Sequence, residues 1–489
     1  MKKFQLIIIL FIAFIVTLKG QRVLTLDQAL NEAFEKSPTI IQARLQTKQN
    51  QERLNAQRAA LKSNFSLQIN PLIYTNNTTY ADQTHVWNTN ENTEVSGSFI
   101  VQQPVLQTDG VITLSNGLAW HDQPDAYPEF RGFTNSLNLN LQQPLFTYNT
   151  RKLELKRLEL NVENSKLNYA LQELSIERQV TQAFYQVYQT QMSVNIAQEE
   201  YENRQKSYDI IKNKVDGGLI AKVELLQAEL DMLSSKSNLN NYEVSLENDK
   251  DNFKQLLGID LNEDIMVLAT VDINPVVVDL QKAINMGLSN RLELRQREID
   301  IENGQFDLIE TKAINEFKGS VDLDLALFGR NEKLTNVYDK PTNNQQVNLT
   351  FNIPIFDWGE KKARIKATGA AIQASEYNLD DERVTISLNI RLLHRSLKNE
   401  LNQIEIARKN VENAQLTYDI NLEKYENGDL TSMDLNLVQN QLTQSKKNLT
   451  DALIQYKLEL LNMKIQTLYD FEKELPIVPD FGDADQNKK

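Results

Sequence analysis

The chain has 489 residues, a formal net charge of -14, no cysteine, and only 16 glycines and 11 prolines. That charge speaks against nucleic acid as a partner, since phosphate contacts need a basic surface and no basic patch occurs, and the missing cysteines exclude disulfides, thiolate metal sites and a lipid on an N-terminal cysteine. So few turn residues imply long elements, while a hydrophobic content of 41% with abundant Asn and Gln excludes a bundle of membrane helices.

The one long apolar run, Phe4 to Leu18, follows Lys2 and Lys3 and ends at Lys19-Gly20-Gln21. It falls short of the ~20 residues of a spanning helix and, with its basic flank, fits a secretory signal over 1–20. An uncleaved anchor is the rival, because Leu18 fits poorly three residues before the expected cut. A first repeat is expected over 21–260. It opens with helices at "LTLDQALNEAFEKSP" and continues with strands over about 65–146, among them "VSGSFIVQQPVL" and "GVITLSNGLAW", split by the hairpin signal Asp109-Gly110. In "SLNLNLQQPLF", Leu137, Leu139 and Leu141 alternate with Asn138, Asn140 and Gln142 until Pro144. That period of two marks a strand whose faces meet different media. From Arg151 the spacing becomes three and four, predicting a long helical hairpin over 150–257 with its tip at 216–220. A linker over 261–278 follows, then a second repeat over 279–470 with strands at about 317–356, a helical hairpin over 358–469 and a tip at 426–431. The tail 471–489 is polar and contains prolines, which favours a loose segment.

The two halves share one plan. At an offset of 210, which separates Pro144 from Pro354, a sevenfold seam Val180, Val187, Val194, Tyr201, Tyr208, Val215 returns as Ile390, Leu397, Ile404, Val411, Tyr418, Tyr425. The opening helices match at 254 instead (Leu26, Ala29 and Leu30 against Leu280, Ala283 and Ile284), so the first half carries 44 extra residues in its strand zone. These form either barrel strands or an outside hairpin. A helix of about 70 residues is roughly 100 Å long, and sevenfold seams imply coiled-coil packing. Gly218 and Gly428 sit where a helix ends in a left-handed cap before the next begins, as in a tight helical hairpin. The alternating strands suit a half-buried soluble sheet or a barrel with lipid outside and water inside, and the few charges, the export signal and the long helices favour the barrel. One chain has too few to close it, since such barrels start at about eight strands, so other copies must complete the wall.

No catalytic constellation stands out. The three histidines, His85, His121 and His394, have no metal-ligand spacing, and no phosphate-binding or hydrolase motif occurs. Asp322 and Asp324 alternate in a strand and suit a wet lumen better than a hydrolytic pair. Neither enzyme activity nor a cofactor is expected.

The opening stretch, the "QQPLF" and "NIPIF" strand ends, the two glycine tips and the two-half duplication together resemble the TolC-like outer-membrane factor family, over essentially the whole mature chain. The resemblance implies a mainly α fold with transmembrane β: a long coiled-coil α-helical barrel under a trimeric 12-stranded β-barrel, four strands per chain. Pro144 and Pro354 would mark the strand-to-helix transitions. It implies an exit duct of a tripartite efflux pump or type I secretion system in the outer membrane of a Gram-negative bacterium. The duct would extend into the periplasm and act as a homotrimer with a periplasmic adaptor protein, an inner-membrane pump and outer-membrane lipid. Tyr425 matches the family's gating tyrosine, Asp434 the first constriction aspartate, and Glu224 the acid that this tyrosine bonds. Leu430 and Leu437 replace a gating arginine and a second aspartate. The docking tips would be Gly217, Gly218, Leu219, Asn427, Gly428 and Leu430. The alternative is a secreted or anchored periplasmic coiled-coil scaffold without a pore.

Overall fold

The computed structural model describes residues 22–82, 85–124, 129–269, 273–427, 429–477, 479 and 481. The expected signal segment 1–20, Gly428 and the end of the expected tail lie outside them. The chain forms two compact units that cut across the sequence repeat. One takes residues up to Thr47, Lys166–Arg295 and those from Leu379 on; the other takes Lys48–Ser165 and Gln296–Asn378.

Helices make up most of the first unit and part of the second. β1 (Arg22–Leu24) leads into α1 (Leu26–Lys36), which starts on a capping box: Thr25 accepts from the Gln28 amide and Gln28 reaches back to the Thr25 amide. α2 spans Pro38–Ala60. The long helices are α3 (Thr150–Asp216, 67 residues) and α4 (Lys222–Leu257, 36 residues) in the first half. α5 (Leu280–Asn290) and α6 (Leu292–Lys312) open the second half, followed by α7 (Glu360–Asn427, 68 residues) and α8 (Ser432–Thr467, 36 residues). Val180, Val187 and Phe253 of the seams close one cluster with α1, and Ile390, Leu397, Tyr456 and Met463 another with α5, while Val194, Tyr201, Tyr208, Val215 and Val411 are half-buried. Between the halves β6 (Ile265–Val267) pairs in parallel with β1, and near the end β9 (Tyr469–Asp470) pairs with β10 (Leu475–Pro476).

The second unit holds one antiparallel sheet of six strands: β2 (Asn64–Ala81), β3 (Val86–Val105), β4 (Gly110–Gln123), β5 (Phe130–Leu145), β7 (Lys318–Asn331) and β8 (Thr342–Asn352), in that order. The family resemblance implies four strands per chain, whereas this sheet has six, because β4 and β5 stand between β3 and β7 with 13 paired residues at each junction. The extra residues of the first half thus lie in the sheet itself. Asp109, in left-handed backbone, and Gly110 form the β3–β4 turn. Pro144 is the penultimate residue of β5 and Pro354 lies just beyond β8; in both halves the long helix starts six residues after its proline. A proline at a strand end costs no ladder bond that the strand still needs.

Candidate functional site

The sheet has two chemically distinct faces, because residues paired across strands share a face. One row runs Leu67, Phe99, Asn116, Leu137, Leu327; the next runs Val101, Leu114, Leu139, Leu325; a third runs Ile112, Leu141, Leu323, Val347. Leu67, Phe99, Leu114, Leu139, Leu325 and Val347 are all solvent-exposed in the single chain. Asn116, Asn135, Asn343 and Gln345 interrupt this face. The opposite face carries Ser98, Ser115, Thr113, Asn138, Asn140, Asp322, Asp324, Gln346 and Asn348. Asp324 accepts from Asn140 Nδ2 at 2.6 Å and Asp322 from Ser320 Oγ at 3.3 Å, so both carboxylates belong to the polar lining.

Aromatic residues border the apolar rows. At the helical end Phe317 stacks on Phe351 (5.7 Å between centroids) and meets Phe146 at 5.3 Å, while Phe356 and Trp358 form an edge contact at 4.7 Å. At the other end Arg131 lies over Trp120 at 5.8 Å and Arg330 over Phe130 at 3.7 Å. From Ile112 to Trp120 the apolar face of β4 spans eight residue steps, ~27 Å along the strand and ~20 Å in height at a tilt of ~40°. A polar face opposite an exposed apolar band bordered by aromatics is what a wall between lipid and water requires.

The β3–β4 turn, which leads into β4 and β5, is tied to the start of α3. The buried Asp109 carboxylate accepts from the Thr150 amide (3.0 Å), Thr150 Oγ1 (2.6 Å), the Arg151 amide (3.3 Å) and Arg151 Nη1 (2.7 Å), and Asn149 Nδ2 donates to the Leu106 carbonyl at 2.5 Å. Burial raises the Asp109 pKa, but the bonds from Thr150 and Arg151 more than offset that and hold it below the usual carboxylate range. These are the first amides of a 67-residue helix, which have no partner within the helix itself.

In the helical unit the ends of α3 and α7 come together at one tip. Gly218 takes φ +71, and Leu219 N donates to Lys214 O at 2.8 Å; at the 210 offset Asp429 N donates to Lys424 O at 2.9 Å, so both helices end in the same way. Ile211, Ala228, Ala414, Tyr418, Tyr425, Leu435 and Leu442 form the core beneath, with Leu430 half-buried against it. Leu219 is 75% exposed; Gly217 and Gly218 beside it and Asn427 on the other turn are exposed as well.

The expected gate residues gather here. Tyr425 is 5% exposed; burial and the nearby Glu224 charge push its phenol up to about 12, so it is un-ionised at neutral pH. The Glu224 carboxylate accepts from Ser432 Oγ at 2.7 Å. Asp434 is exposed and serves its own helix, accepting from Thr431 Oγ1 at 2.7 Å while Thr431 caps the Asp434 amide at 3.2 Å. Sequence reasoning missed Lys214, whose ammonium donates to the carbonyls of Tyr425 (2.9 Å) and Glu426 (3.3 Å) at the end of α7 and lies 5.1 Å from the Tyr425 ring centre. It also missed Asp231, which accepts from Asn436, and Arg204, which donates to Asn440 at 2.8 Å. No heptad or motif flags such ties, since each joins residues more than 200 positions apart. Among the described residues no group of His, Asp or Glu could hold a metal, and no helix is long and apolar enough to cross a membrane.

The profile of the outer membrane efflux protein family matches residues 128–259 and 320–464, more than half of the chain. No curated protein matches significantly. Among solved structures the chain is similar to the CmeC outer membrane channel of Campylobacter jejuni, with a TM-score of 0.70 at 15% identity over 94% of this chain and 88% of the other. It is also similar to the outer membrane protein VceC of Vibrio cholerae (0.65, 13%, 91% and 95%) and to the open-state MtrE outer membrane channel of Neisseria gonorrhoeae (0.64, 13%, 90% and 88%).

Proposed function

We infer the working assembly from one premise: the chain belongs to the outer membrane efflux protein family, and is a non-enzymatic outer-membrane efflux channel with a periplasmic helical extension. The assembly is a homotrimer that conducts exported substrates passively. It takes them from an inner-membrane pump through a periplasmic adaptor protein. The two-faced sheet carries this reading. Six strands with two free edges cannot close around water in one chain, and a pore-free coiled-coil scaffold has no use for an exposed apolar sheet face opposite a polar one. The helical unit adds support, because Val223, Leu226, Leu230 and Leu233 on α4 and Leu416 and Ile420 on α7 are exposed at coiled-coil spacing and call for neighbouring helices.

The tip is the entry. Gly217, Gly218, Leu219, Asn427, Gly428 and Leu430 form the docking surface for the adaptor, with Leu219 as its exposed apolar contact. Tyr425 and Glu224 hold the two hairpins together, and three copies of Glu224 and Asp434 around a narrow axis attract cations and repel anions. Lys214 takes up part of the role that the absent gating arginine has in the family. The test is the mass per particle in detergent together with conductance in a planar bilayer. A trimer with small, cation-selective conductance that rises in Tyr425→Phe or Asp434→Ala supports duct and gate. Conductance that is large and indifferent to both substitutions removes the gate, and a soluble, non-conducting particle removes the channel.

A further inference from the structure

The strand ends "QQPVL" at 102–106 and "QQPLF" at 142–146 are 40 positions apart, and their surroundings repeat with them. Gln103 Nε2 donates to the carbonyl of Pro104 (2.5 Å) and to that of Leu61 just ahead of β2 (3.2 Å). Gln143 Nε2 donates to the carbonyl of Pro144 (2.9 Å) and to that of Thr108 just ahead of β4 (2.7 Å). The closing end of the β4–β5 hairpin therefore copies that of the β2–β3 hairpin in sequence and local bonding. It also keeps the two faces: Leu114 and Leu139 continue the apolar row from Val101 to Leu325, and Thr113 and Asn140 continue the polar one from Gln102 to Asp324.

We propose that β4–β5 is a duplicated hairpin built into the membrane wall, so that three copies close an 18-stranded barrel through their β2 and β8 edges. The proposal rests on the homotrimer reading above. The occupant of each free edge is a second copy of this chain. An even number of strands per chain makes the β2-to-β8 closure antiparallel like every other pair in the sheet, and the exposed apolar residues Phe65 and Leu67 on β2 and Val347 and Leu349 on β8 then join one band. With strands ~4.8 Å apart and tilted ~40°, 18 strands give a barrel ~36 Å across between backbones, against ~24 Å for 12. The outer mouth is therefore about 1.5 times as wide as four strands per chain would make it. The Asp109 bonds to Thr150 and Arg151 root the added hairpin in the wall.

The experiment is a single-particle reconstruction of the full-length particle with its mass, alongside spin labels at Leu114→Cys and Leu139→Cys in lipid vesicles, for which the cysteine-free chain is suited. A trimer with 18 strands, and labels relaxed by dissolved oxygen but shielded from a water-soluble nickel complex, is the expected result. A trimer with 12 strands and labels open to the nickel complex would overturn the wide barrel while leaving the duct intact. A dimer, or a particle that does not enter lipid, would overturn the homotrimer reading and this proposal with it. Deleting residues 104–143 joins Gln103 to Pro144 and restores the "QQPLF" end, and its trimer is expected to be ~24 Å wide with 12 strands. Because that deletion also removes Asp109, the two measurements on the full chain decide if the variant fails to fold.

Discussion

Replacing Asp109 with alanine tests how the β3–β4 turn is held to the start of α3. The carboxylate is 7% exposed and accepts from two amides and one hydroxyl as well as the Arg151 guanidinium. Loss of a helix-capping acceptor costs about 1 kcal/mol. Loss of a charge-assisted bond costs about 1.5–3 kcal/mol, and the upper end does not apply because Arg151 keeps 28% of its side-chain surface and turns to water. The sum is roughly 2.5–3.5 kcal/mol of local stability, so amide hydrogen exchange in the 106–110 turn and the first turn of α3 accelerates roughly 60- to 300-fold. Mass-spectrometric exchange on peptides covering these segments reads it, with the core of α3 near Val180 as the unchanged control. The sign of the pH effect is fixed too. The folded pKa lies below the unfolded value of 3.8, so the protection is full above that value and is lost as pH falls through the folded pKa. Exchange that changes less than threefold in Asp109→Ala, or acid loss that is the same in the variant, would refute the reasoning.

Three further outcomes are expected. The Tyr425 phenol titrates near 12 rather than 10, so the stability linked to its neutral form is complete below pH 10 and lost between 10 and 12; a difference ultraviolet titration against Tyr425→Phe isolates it from the other tyrosines, and a midpoint near 10 would contradict its burial. Leu226→Glu with Leu230→Glu places charges on the exposed α4 stripe, where burying each leucine contributes about 1.5–3 kcal/mol; particle mass should fall to that of one chain, and an intact trimer would show that the stripe faces solvent. Leu139→Arg on the apolar face should cost about 2–4 kcal/mol and block assembly in the outer membrane, whereas Asn138→Arg on the polar face assembles; equal behaviour of the two variants would remove the assignment of faces.

Much of this architecture can be read from the sequence because periodic burial writes it there. Leu137, Leu139 and Leu141 alternate because one face of β5 meets an apolar medium, and the sevenfold Ile390-Leu397-Ile404 seam exists because α7 buries one stripe along its length. Asp109-Gly110 announces its turn because few residues accept that backbone. Local rules of this kind mark where strand gives way to helix along the chain. Tertiary structure alone decided where β4 and β5 go. Their alternation suits an outside hairpin as well as a wall, and only the pairing of β4 with β3 and of β5 with β7 makes the sheet six strands wide. The same is true of Asp109 with Thr150, Lys214 with the end of α7, and Glu224 with Ser432. Each such contact is one polar pair between distant segments, set by geometry that the fold creates and by no repeat in the chain. Sequence therefore determined which segments form strand and helix, and folding determined how many strands the sheet has and which distant residues tie its turn and the helix ends in place.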